Sequence, residues 1–158
     1  MKNTLQPLYV FAAILALAGF NFAQQNLGGG RLSGTWDAMV SITNCETGAE
    51  DPPFRSTANF HHGGTFTGIT SAMPPANRTP EIGIWRHETG NIYRFRFKAY
   101  MFTPAGAPFA YQIITHTLEL ADDNMSYVSN GDARIFALNG VQIGSGCSRG
   151  VGTRMTLD

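Results

Sequence analysis

The chain has 158 residues, no net formal charge and two cysteines, so it is sized for one domain. Its 43% apolar content is ordinary for a globular protein, and its 14% charged content is too low for a long disordered chain. A neutral balance argues against a dedicated nucleic-acid binder, which carries a basic excess.

Residues 1–23 read as a secretory signal peptide. Lys2 precedes the apolar run Leu8 to Phe20, and small residues stand toward its end at Ala16 and Ala18 and beyond it at Ala23. The run is shorter than the roughly 18 residues of a membrane-spanning helix, so no stable membrane insertion is expected once it is cleaved. The expected location is secreted or periplasmic. Residues 24–32 read as a flexible leader and residues 33–158 as a single β domain.

From Ser33 onward no apolar stripe keeps a helical period, whereas alternating segments recur between Gly, Pro, Asn and Asp clusters. Eight strands are predicted: Gly34 to Thr43, Phe54 to His62, Thr65 to Ser71, Glu81 to Glu88, Asn91 to Phe102, Phe109 to Leu120, Met125 to Leu138 and Val141 to Leu157. A proline-rich loop, Met73 to Pro80, separates the third and fourth. Asn139-Gly140 is expected to form a type I′ turn, with positive φ at both central residues. Eight antiparallel strands in sequence order can close into an up-and-down barrel and so remove their edges. A two-sheet sandwich is the competing architecture.

Cys45 follows the first strand and Cys147 lies early in the last. In an exported chain such a pair forms a disulfide. In a closed barrel it would clamp the seam between the first and last strands. If the bridge marks the register, Trp36 faces Thr156, Ala38 faces Arg154, and Arg154 is diagonal to Trp36.

Gly34-Thr35-Trp36 opens the first strand and Gly152-Thr153-Arg154 lies late in the last. A G-x-W at the start and an arginine near the end resemble the signature of the lipocalins and the wider calycin superfamily, here in a reduced form similar to small secreted bacterial barrels. The resemblance implies that Arg154 packs over Trp36 and seals one barrel end. It also implies a small apolar ligand inside. No second T-D-Y-type motif is present and no helix is expected after the last strand.

Strand alternation puts Tyr93, Phe95 and Phe97 on one face and Arg94, Arg96 and Lys98 on the other. Burying the charged face would cost far more, so the aromatic face should point inward. Trp36, Trp85, Tyr93, Phe95, Phe97 and Tyr111 are the expected ligand-binding residues. Arg94, Arg96 and Lys98 read as a solvated outer face, or as a contact for phosphate or an acidic partner. His116 shares a face with Gln112, Ile114 and Leu118 and is the single candidate for proton transfer. No H-x-H or H-E-x-x-H pattern, P-loop, dinucleotide fingerprint or nucleophile elbow occurs, so neither metal nor cofactor is expected.

The leading reading is a non-catalytic exported barrel that binds a small hydrophobic molecule. An enzyme of the cyclase or isomerase type acting on an apolar substrate, and a solid structural or interaction barrel, are the alternatives. Nothing in the sequence fixes the oligomeric state.

Overall fold

The computed structural model describes residues 30–157; the signal-peptide reading, and the leader as far as residue 29, lie outside them. Eight strands follow one another: β1 (Gly34–Thr43), β2 (Phe54–Phe60), β3 (Thr65–Thr70), β4 (Glu81–Thr89), β5 (Ile92–Phe102), β6 (Pro108–Leu120), β7 (Ser126–Ala137) and β8 (Gln142–Arg154). They pair in sequence order as a closed antiparallel barrel, β8 returning to β1. This up-and-down arrangement is consistent with a lipocalin-like fold and replaces the competing sandwich. A short 3-10 turn, Pro75–Asn77, interrupts the proline-rich loop.

The two ends of the barrel differ. Short turns at residues 61–64, 90–91 and 121–125 bound one end. Longer loops, at residues 44–53 and 71–80, bound the other. Inward side chains at the first end are large and fully enclosed: Trp36, Phe60, Phe66, Trp85, Tyr93, Leu118 and Leu120. Their rings meet edge to face, as in Trp36 against Tyr127 at 5.0 Å and Phe60 against Trp85 at 5.8 Å. Such contacts add to the burial of area itself. Both indole N–H groups are satisfied, Trp36 Nε1 donating to the Leu32 carbonyl and Trp85 Nε1 to that of His61, each at 3.0 Å.

Arg154 completes this closed end. Its guanidinium lies 4.3 Å from the centre of the Trp36 ring. It donates to the carbonyls of Asn124 (2.7 Å), Ser33 (2.8 Å) and Arg31. Arg31 and Leu32, expected in the leader, belong to the barrel instead. Leu32 has no solvent exposure, and the Arg31 side chain donates to Asn91 and Asn124.

Three further expectations are corrected. Trp36 pairs directly with Arg154 and Ala38 with Gly152, so the β1–β8 register is displaced by two residues from the expected one. The cause is the disulfide itself. Cys147 pairs with Thr43, and Cys45 reaches it diagonally from beyond the strand, at a Cα–Cα distance of 5.3 Å. Disulfide geometry admits both placements. At Asn139-Gly140, only Gly140 has positive φ (88°). Its N–H donates to the Ala137 carbonyl at 2.9 Å, giving a three-residue loop with a left-handed glycine rather than a type I′ turn. Tyr111, the third, is outside the barrel, as described next.

Candidate functional site

Small inward residues leave the other half of the barrel hollow. Ala38, Ala58, Ala133, Gly146 and Gly150 stand where the closed end carries rings, and a cavity of about 340 Å³ results. That volume is at the lower end of small-molecule pockets, roughly 300–1,000 Å³. The solid-barrel alternative therefore holds only for the closed half. Phe66, Phe95 and Tyr127 meet the cavity on the side of the closed end, and Val40, Phe54, Ile114 and Ile135 add apolar wall.

The expected ligand-binding residues separate into three groups. Phe95 and Phe97 line the cavity. Trp36, Trp85 and Tyr93 point inward but lie deeper, inside the packed closed end and away from the lining. Tyr111 stands on the outer face, because Ala110 and Gln112 take the inward positions on β6. There it stacks on Phe136 at 5.2 Å, with Lys98 Nζ 4.0 Å over its ring. Arg94 and Arg96 share that solvated face.

A polar set absent from the expected residues interrupts the apolar wall. Arg78, at the end of the proline-rich loop, and Glu81, the first residue of β4, pair at 2.8 Å with both side chains 7% exposed. Gln112, with its amide turned so that oxygen faces the guanidinium, accepts from Arg78 Nε at 2.8 Å and from Nη2. Gly68 makes the space: a Cβ there would stand 2.6 Å from Glu81 Oε2. Burial raises the Glu81 carboxyl above its usual range, and the Arg78 guanidinium pulls the other way. Arg78 and Met73 also border a groove on the outer side of β2 and β3, so their loop forms the wall between cavity and exterior.

His116 lies farther down the same wall and is 5% exposed. Its ring stacks on Phe95 at 4.8 Å. Nδ1 meets Ser129 Oγ at 3.1 Å and Nε2 meets Ser148 Oγ at 3.3 Å. Opposite, a Cβ on Gly131 would come within 2.4 Å of the imidazole, so only glycine leaves room for it. Burial lowers its pKa to about 4. A group that transfers protons near neutrality needs a pKa close to the working pH. A neutral imidazole held between two hydroxyls is instead a hydrogen-bonding fixture. Tyr127 is likewise neutral, burial first and Glu81 second raising its phenol above the usual range.

The other histidines stand apart. His61 Nε2 bonds Thr67 Oγ1 at 2.9 Å, His87 Nε2 bonds the Gly90 carbonyl at 2.8 Å, and His62 is exposed. Among the described residues no three His, Cys, Asp or Glu side chains gather in a way that could hold a metal ion.

His116 makes stability fall with acid. The unfolded chain takes up the histidine proton near pH 6.5, the native chain only near 4, so stability is lost as pH falls through that window. The difference is about 3 kcal/mol. Glu81 acts with the opposite sign, since its raised pKa favours the native state on acidification. The test is therefore a difference: urea unfolding at pH 7 and pH 4 should show wild type losing about 3 kcal/mol more than His116→Phe. Equal losses would mean that the imidazole is not held neutral.

No protein-family model, curated protein or solved structure matches the chain.

Proposed function

We propose that the protein is an exported binding barrel that takes one small, largely apolar molecule into the cavity of its mouth half. The observation that carries this is the cavity: about 340 Å³ of space walled mainly by aliphatic and aromatic side chains, with a few convergent polar groups. A chain serving only as a structural module gains nothing by leaving half its core unfilled, since voids forfeit packing energy. Export is supported by the amino-terminal pattern of Lys2 and the apolar run Leu8 to Phe20, and by the Cys45–Cys147 disulfide. Among the described residues no helix is long and apolar enough to cross a membrane.

Binding is tested with N-phenylnaphthylamine, an apolar fluorophore. It should brighten on addition of the folded protein and change the tryptophan emission. Phe95→Arg should abolish the signal by placing a charge in the apolar wall. Because Phe95 also packs on Phe60 and Phe66, a second variant guards against misfolding. Gly146 lines the cavity, and a Cβ there meets nothing within 4 Å. Gly146→Phe should thus fold normally, fill the cavity and weaken binding by about tenfold or more. A folded Gly146→Phe that binds as wild type does would remove the cavity as the site.

A further inference from the structure

The geometry points to an uncharged ligand: the cavity selects a neutral molecule with a hydroxyl or similar hydrogen-bonding group over a carboxylate or an amine, and the Arg78–Glu81 pair sets that choice. This rests on the binding reading above and adds the ligand's charge to it.

Among the described residues, Arg78 and Glu81 are the only charged side chains that line the cavity; its other titratable groups, His116 and Tyr127, are neutral. The pair is closed on itself. Glu81 Oε1 takes Arg78 Nη1 at 2.8 Å, and Gln112 occupies Nε and Nη2. Burial and the Arg78 guanidinium pull on Glu81 in opposite directions, and with the two side chains paired as ions the cavity carries no net charge. An entering carboxylate would lose its water and meet a guanidinium already matched by Glu81. An entering ammonium would meet a carboxylate already matched by Arg78. Either ion is desolvated without a free counter-charge, which is costly.

A neutral group avoids that cost and still finds partners. Glu81 Oε2 accepts no hydrogen bond from the described residues, and Glu81 lines the cavity. It is a ready acceptor for an O–H. Farther down, the hydroxyls of Ser129 and Ser148 are neutral partners on the same wall: both keep acceptor capacity, and the one that accepts from the imidazole N–H also keeps its proton to donate. The remaining lining buries the apolar body of the molecule.

The experiment uses three probes on one ring system: naphthylmethanol, naphthoate and naphthylmethylammonium. Each is titrated into the protein at neutral pH by isothermal calorimetry. Wild type should bind the alcohol about tenfold or more tightly than either ion. Glu81→Gln leaves Arg78 unmatched and should raise naphthoate affinity relative to the alcohol by about tenfold. If that variant does not fold, Gln112→Glu supplies the opposite change: a second carboxylate beside Arg78 should favour the ammonium probe. Naphthoate binding to wild type as tightly as the alcohol, or an order of affinities unchanged in the folded variants, overturns the charge inference and leaves the binding reading standing. Failure of all three probes to bind overturns the binding reading itself.

Discussion

Replacing Cys45 and Cys147 with serine is expected to lower the free energy of unfolding by about 4 kcal/mol. The bridge joins residues 102 apart in sequence, and the chain-entropy argument gives its largest effect for loops of that length. It lies at the mouth end of the β1–β8 seam, beside the last pair of the ladder, Thr43 with Cys147. An ion pair, Arg149 with Glu50 at 3.0 Å, also links β8 to the loop after β1. Both partners of that pair are well exposed, so it contributes at most about 1 kcal/mol and does not replace the bridge. The seam's own ladder runs from Trp36 to Thr43 and keeps the native strands paired in the variant. The loss therefore arises chiefly in the unfolded chain, which gains freedom when the loop opens. Urea unfolding should give a lower midpoint for the double variant and for reduced wild type alike. A loss below about 1 kcal/mol would show that the unfolded state is already compact around this pair.

The barrel was legible because burial enforces a period of two. Where Tyr93, Phe95 and Phe97 alternate with Arg94, Arg96 and Lys98, only one assignment of faces is affordable, and the structure has that one. Alternation gives the face of a side chain and not its height in the barrel. Trp36, Trp85 and Tyr93 are inward, as the pattern implied, yet they fill the closed end, while Phe95 and Phe97 reach the cavity. Parity also made two expectations incompatible: His116 and Tyr111 are an odd number of residues apart on β6, so they cannot both face inward without a bulge. The ion pair escaped for a different reason. Arg78 sits among prolines in a loop, where an arginine reads as solvated, although its side chain is folded into the wall. Glu81 did carry a signal, because it alternates with Gly83 and Trp85 on the inward face of β4. A carboxylate at such a position breaks the apolar pattern, and breaks of that kind are where function is expected.

Arg154→Ala is expected to cost about 3–4 kcal/mol of stability and to leave probe binding nearly unchanged. A guanidinium 4.3 Å over an indole contributes about 0.5–2 kcal/mol, more when water is excluded. The bonds to the carbonyls of Asn124, Ser33 and Arg31 are charge-assisted, each worth roughly 1.5–3 kcal/mol where water cannot substitute. These terms do not add in full, because Arg154 is only half-buried and water can reach part of the vacated site. What remains is large because one side chain ties three segments together. It holds the segment leading into β1, the turn before β7 and the indole that plugs the barrel. Gly34 fits the same arrangement: its φ is 137°, and a Cβ there would lie 2.7 Å from Arg154 Nη1. Arg154→Lys should recover less than half of the loss, since a point charge cannot serve three carbonyls and the ring at once. The cavity is at the opposite end, beyond the packed layer of Trp36, Phe60 and Tyr127. N-phenylnaphthylamine affinity should therefore change by no more than about threefold in the folded variant. A folded Arg154→Ala that lost probe binding altogether would mean that the closed end, and not the mouth half, holds the ligand.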